Sequence, residues 1–308
     1  MRRSTGIALV AVAAALWGTD ALFRKPLADS TSVATIVFGE HVVLVAIALP
    51  LLVPALVAVF RLGWRYVLAA VVIGAGASAV ATILFTQAFV DSASPVTPVV
   101  LQKVQPIVAV LGAWIVLGER PRPRFGLYFA GALLGAWLIA FPSPTADVLE
   151  NWNAAVKPVL FALGAACLWA FGTVLGRYLT RELRFEHVTT LRFAFGLPAS
   201  AIALLVLGGP AVASAHDSLW IAMLALVTGA VALSLYYYGL RTTPAVAATL
   251  AELAFPVTAA LVGYLAFDAT LSSTQWLGVA VTTAVVALLP ARPRDVVEVV
   301  PAPLPAAA

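Results

Sequence analysis

Apolar runs of about twenty residues, each closed by a charged or proline-rich cluster, recur along this chain and limit what it can fold into. A helix needs roughly twenty apolar residues to cross a bilayer, whereas a soluble helix of that length shows a polar face. No polar face recurs here: 62% of residues are hydrophobic, 10% are charged, and the mean hydropathy is +1.02. Hydrocarbon offers the backbone no hydrogen-bond partners, so continuous apolar runs close their own bonds as helices. The chain reads as an all-α integral membrane protein.

The clusters mark ten candidate spans, at 5–23, 32–56, 66–89, 94–117, 124–141, 157–178, 187–207, 218–240, 244–266 and 273–290. Two divisions rest on proline, in "DSASP" at 91–95 and "RTTP" at 241–244. Proline is accepted in the first turn of a helix and disfavours helix in the residue before it. The opening "MRRSTGIALVAVAAALWG" is basic and then apolar like a secretory signal, but it lacks a convincing cleavage site and reads as a retained first helix. With a cytoplasmic N-terminus, thirteen Lys and Arg fall on the cytoplasmic side, while Arg24, Lys25 and Lys157 fall on the other. Lys103 and Arg192 lie inside spans. This is the positive-inside bias of a multi-pass protein of a bacterial inner membrane with both termini cytoplasmic.

A shift of 150 residues overlays 86–119 on 236–269 without a gap and puts Pro106 on Pro256. Near the start of each half, "LWGTDALFRKPL" (16–27) matches "LWAFGTVLGRYL" (168–179) at a shift of 152. Two five-helix halves follow, at 1–142 and 157–290, joined by a polar extracytoplasmic linker at 143–156 and followed by a disordered cytoplasmic tail at 291–308. Because five is odd, the second half enters the membrane from the opposite side. Such inverted repeats are the architecture of many alternating-access carriers.

The "LWG" at 16–18, "SASPVTPVVLQKVQPIVAVLGAWIVLGE" at 92–119 and "GALLGAWL" at 131–138 resemble the EamA-type drug/metabolite transporter superfamily. The resemblance covers nearly the whole chain and implies ten helices in two inverted halves, the drug/metabolite transporter fold. "LWGTDALFRKPL" is most similar to bacterial aromatic amino acid exporters. Two positions depart from the pattern: Ala269 matches Glu119, where an acid often recurs, and Glu40 matches Arg192, where an arginine is often found.

Charged side chains in mid-span cost roughly 2.5–3.5 kcal/mol each on insertion scales, so they need a partner or a wet cavity. Glu40 and His41 in span 2, Lys103 in span 4 with the polar Gln102 and Gln105 beside it, and Glu252 in span 9 are the ionisable residues so placed. Lys103 either neutralises Glu40 or Glu252 or lines the substrate path. His41 is either a satisfied core residue or a group that binds substrate or protons. Glu40, His41 and Glu252 are the candidates for proton binding or coupling. Arg192 reads as reaching the cytoplasmic interface, and Asp20 as an i,i+4 partner of Arg24.

Trp17 and Trp169 are repeat-related and too deep for an interfacial belt, so they are candidates for a cavity wall or for helix packing. Thr86 pairs with Tyr236 and Gln87 with Tyr237 in the same frame, and of these Gln87 and Tyr237 are taken as substrate-binding. Pro106 and Pro256 each remove a backbone hydrogen bond within a span, giving either hinges or static bends. "GALLG" at 131–135 and "GTVLG" at 172–176 have the spacing of close helix contacts.

The formal charge of +4 is scattered and forms no basic face, which argues against nucleic acid. No GxxxxGK[ST] cradle for ATP, HExxH motif or Ser–His–Asp arrangement is recognisable. One cysteine, Cys167, excludes an intrachain disulfide. Neither cofactor nor metal is expected. The expected function is a secondary transporter that exports small metabolites by alternating access. Aromatic or large neutral amino acids are the expected substrates, with other organic solutes or drugs as the alternative. A channel and an intramembrane enzyme using Glu40, His41 and Lys103 are further readings.

Overall fold

The computed structural model describes residues 3–27, 30–91, 104–121, 125–140, 156–268, 270–288 and 296–298. In chain order its helices are α1 (Thr5–Leu27), α2 (Val33–Leu62), α3 (Trp64–Ala88), α4 (Gln105–Leu117), α5 (Phe125–Ala140), α6 (Val159–Leu179), α7 (Phe185–Leu207), α8 (Ala215–Leu240), α9 (Ala245–Ala266) and α10 (Ser273–Leu288). Seven among the described residues are long and apolar enough to cross a membrane, and α4, α5 and α10 are shorter. The protein is therefore a multi-pass membrane protein. Within the segment read as a tail, Val296–Glu298 pairs antiparallel with Glu119–Pro121.

Local chemistry explains the helix ends. Ser32 caps α2 by accepting the Thr35 N–H at 3.2 Å, satisfying a donor that the helix leaves open. At the other end of α2, Gly63 takes φ 101, a conformation unfavourable for a residue with a Cβ. "RTTP" ends α8 at Leu240 and starts the next helix at Ala245. A further break, absent from the span reading, divides α9 into Ala245–Ala251 and Ala254–Ala266.

The packing is inverted relative to a soluble protein. Large apolar side chains such as Ile115 and Leu205 point outward, 80% and 84% exposed, where lipid satisfies them. Alanine, glycine and threonine fill the helix contacts and let backbones approach closely. Both small-residue motifs lie at such contacts: Gly135 faces Thr282 of α10, and Gly172 and Gly176 face Ala77 of α3 and Tyr237 of α8.

The helix partners are reciprocal. The first helix, α1, packs on α8 and α9, while α6 packs on α3 and α4; α2 pairs with α7 and α5 with α10. Two of the partners share an irregularity, because α3 contains a π-helical turn at Val72–Val80 and α8 one at Ala225–Val231. The extra residue in a π turn re-aims side chains and carbonyls, and such turns concentrate at functional sites.

Two faces can be distinguished by their contacts. Gly6, Glu119 and Arg177 meet the α8–α9 junction at residues 239–246 on the face where the N-terminus lies, and Arg181 pairs with Glu119 there. On the opposite face Lys25 lies over the Phe267 ring, and Ser30 and Thr31 donate to Asp217.

Candidate functional site: a cavity between the helices

A cavity of about 800 Å³ occupies the centre of the molecule, with lining from α1, α2, α3, α4, α6, α7, α8 and α9. It extends to Lys25 and Phe267 on the opposite face and stops short of the Glu119–Arg177 cluster on the N-terminal face. Trp17, His41, Trp169, Glu252, Glu40, Pro106 and Pro256 all line it. Gln102 and Lys103 lie outside the described residues.

Glu252 is placed by its own sequence. Pro256 has no N–H to give the carbonyl of residue 252, so the helix is interrupted there, and Phe255 N–H bonds that carbonyl instead at 3.0 Å. The freed turn presents the carboxylate to three helices. Oε1 accepts from the Tyr236 hydroxyl at 2.7 Å and the Thr173 hydroxyl at 2.9 Å, and Oε2 accepts from Gln105 Nε2 at 3.1 Å.

Glu40, by contrast, lies 3.2 and 3.3 Å from Arg24 Nη2, and Arg24 also holds Asp20 one helical turn before it. The i,i+4 pair read from sequence exists and extends across helices to Glu40. His41 Nδ1 lies 2.7 Å from the Val37 carbonyl, which only accepts, so Nδ1 carries a proton. Its Nε2 lies 3.1 Å from Ser78 Oγ. The ring fits because Gly196 on α7 has no Cβ, which would lie 2.3 Å from Nε2.

Two expectations are corrected. Tyr237 and Gln87 do not line the cavity; their neighbours Tyr236 and Thr86 do. Successive helical residues point about 100° apart, and at these two places Tyr236 and Thr86 take the inward direction. The Tyr237 ring is fully buried against Gly176 of α6. Arg192, read as reaching the membrane interface, turns into the cavity wall and donates to Tyr237 Oη at 3.0 Å and to the Ala77 carbonyl at 3.3 Å. Its charge acts on both His41 and Glu252. Thr173 and Ser78 carried no sequence signal, being single hydroxyls in apolar helices. For Arg192 the repeat frame held one, since its counterpart Glu40 is deep in α2.

Aromatic rings frame the remainder. Trp17 packs on Tyr236 at a centroid distance of 5.1 Å, and Trp169 packs on Phe85 at 5.1 Å. Each tryptophan thus meets a ring from the other half of the chain. The π turns supply polar backbone, with the Thr228 carbonyl accepting Trp17 Nε1 at 2.9 Å and the Ala77 carbonyl accepting Arg192. The chemistry on offer is a carboxylate, a guanidinium and flat apolar walls in one chamber.

The sequence model of the EamA-like transporter family matches residues 4–141 and 156–290. The chain is 28% identical over 285 residues to a protein named riboflavin transporter ImpX, from Fusobacterium nucleatum subsp. nucleatum, covering 88% of this chain and 92% of that one. It is 29% identical over 220 residues to uncharacterized transporter YwfM of Bacillus subtilis, covering 68% and 69% respectively. A protein of known crystal structure superposes with a TM-score of 0.71 at 20% identity, covering 93% of this chain and 96% of the other. The central cavity lies within a membrane protein that belongs to the EamA-like transporter family.

Proposed function

We propose that the chain is a secondary transporter that carries a small planar aromatic metabolite by alternating access. The observation that carries the reading is that Trp17 and Trp169 flank the same cavity as Arg192 and Glu252. Pockets of about 300–1,000 Å³ suit small organic ligands, and this one measures about 800 Å³. An aromatic amino acid meets all three chemistries: its ring lies between the tryptophans, its carboxylate reaches Arg192, and its ammonium reaches Glu252. Lys103 and Gln102, beside α4, are proposed to complete the carboxylate end.

The reciprocal helix pairing and the division of the family match into two blocks support ten spans in two inverted five-helix halves. Rocking of these halves, with Pro106 and Pro256 as hinges, moves access from one face to the other. The excess of Lys and Arg near the N-terminal face supports an inner membrane with cytoplasmic termini. Export is the direction implied by the resemblance to amino acid exporters.

A second reading takes a flavin-type heterocycle as substrate. The relative named as a riboflavin transporter favours it, as does a cavity with room for a larger flat ring. The full chain in liposomes loaded with unlabelled tryptophan or riboflavin distinguishes the two when the matching labelled solute is added outside. Saturable counterflow of tryptophan supports the amino-acid reading, and counterflow of riboflavin alone replaces it. Exchange of neither solute removes the planar-aromatic substrate class.

A further inference from the structure

Glu252, Thr173 and Tyr236 form a triangle of oxygens at the cavity wall. Glu252 Oε1 lies 2.7 Å from Tyr236 Oη and 2.9 Å from Thr173 Oγ1, and the two hydroxyl oxygens are 3.0 Å apart. Each hydroxyl owns one proton and an ionised carboxylate owns none. Two protons therefore serve three short contacts, and one pair of oxygens is left facing without a hydrogen between them. A third proton, on Oε1, removes the deficit. Oε1–H then donates to Tyr236, Tyr236 to Thr173, and Thr173 back to Oε1, so each group gives once and accepts once. Gln105 donates to Oε2 in either state.

Glu252 is held by neutral hydrogen-bond donors. Among the described residues no Lys, Arg or His forms an ion pair with it. Arg192 of α7 acts on it electrostatically while bonded to Tyr237 and Ala77. On the other packed elements, α1 contributes Asp20, Arg24 and Lys25 to the same cavity, and α2 contributes Glu40 and His41. Tyr236 and Tyr237 come from α8, Arg177 of α6 is bonded to the Leu240 carbonyl, and Lys103 precedes α4 outside the described residues. Glu40 differs from Glu252 in being held by Arg24.

We propose that this triangle is a proton-binding site, and that the proton and the substrate occupy it alternately, making the carrier a proton antiporter. This rests on the transport reading above. A hydronium ion in the cavity gives its proton to Glu252 Oε1 and leaves as water; after the cavity changes face, Oε1 returns the proton to water there. The protonated ring is closed on itself and offers a cationic substrate group nothing. The ionised triangle offers it a negative charge. No bond of the substrate is made or broken.

The test uses the full purified chain and has two independent arms. The first is infrared difference spectroscopy of the protein without substrate, stepped between acid and neutral pH. In a Glu119→Gln background, a component of the titrating protonated-carboxyl band is expected to be lost in Glu252→Gln and retained in Glu40→Gln and Lys103→Met. A band that Glu252→Gln leaves unchanged, or no band at all, overturns the proposal. The second arm uses wild-type protein in weak buffer with a pH indicator. Tryptophan, whose ammonium group takes the place of the proton, is expected to release about half a proton per molecule bound at the midpoint of that band and close to one on its acid side; counterflow of riboflavin alone, which carries no cationic group, overturns antiport. Tryptophan affinity should fall about tenfold per pH unit on the acid side. Binding with no proton release and no pH dependence overturns antiport. A Glu252 band in a chain that exchanges neither solute leaves the proton site standing and rejects the planar-aromatic substrate reading alone.

Discussion

Arg192 donates through Nη1 to the hydroxyl of Tyr237, 3.0 Å away, and the ring beneath that hydroxyl is fully buried between α6 and α8. A cation is thus held at the cavity wall by neutral partners, and its charge is available to an anionic group. Tyr237→Phe keeps the ring packing and removes the acceptor. It is expected to cost about 1–2 kcal/mol of stability, read as a lower melting temperature in detergent. Tyr236→Phe acts on the cavity itself, and a larger loss of transport at 236 than at 237 is the expected order.

Arg24 joins α1 to α2 through Glu40, with Asp20 as its second carboxylate. Glu40→Ala leaves Arg24 with one partner and empties a position that is 9% exposed. A loss of about 2–4 kcal/mol is expected, since removing one member of a buried pair strands the other. Arg24→Met with Glu40→Met is expected to recover most of that loss, and a double-mutant cycle on melting temperatures measures the coupling.

Glu119 is 1% exposed beyond the end of α4, 3.5 Å from Arg181 and 3.8 Å from Arg177, and its Oε2 accepts the Val246 N–H at 3.3 Å. Burial holds its carboxyl above the ordinary glutamate range, against the pull of Arg177, the Val246 N–H and Arg181. The folded chain therefore binds that proton more tightly than the unfolded chain. Stability falls as pH rises from about 4.3 toward the raised value, and levels off above it. Glu119→Gln removes this component, so wild type should lose melting temperature relative to the variant across that window. A constant difference between the two contradicts the assignment.

Trp17 and Trp169 both line the cavity, Trp17 packed on Tyr236 and Trp169 on Phe85. If both flank the substrate ring, Trp17→Leu and Trp169→Leu each weaken substrate affinity by about tenfold, near 1.4 kcal/mol. Equilibrium binding to purified protein measures it. Loss at one position only would place the substrate against one half.

Membrane placement, the helix break at "RTTP" and the depth of Glu40, His41 and Glu252 were legible in sequence because hydrocarbon penalises polar groups so heavily. The side-chain directions were not. Tyr236 and Tyr237 are indistinguishable as letters, and the helical phase that separates them is shifted by a π turn at Ala225–Val231 with no sequence rule of its own. The break in α9 at Glu252 was half visible, since Pro256 announced a lost hydrogen bond without telling where the turn would open. Arg192 was misread because depth counted along one helix ignores the carbonyl that α3 offers beside it.

Alternating access is the central claim, and site-directed labelling tests it most directly. In a Cys167→Ser background, single cysteines replace Phe267 at the opposite face and Thr243 beside the Glu119 cluster, and each is labelled with a water-soluble maleimide with and without the transported solute. The account predicts reciprocal change: substrate slows labelling at 267 and speeds it at 243. Rates that do not respond, or that rise or fall together at both positions, contradict it.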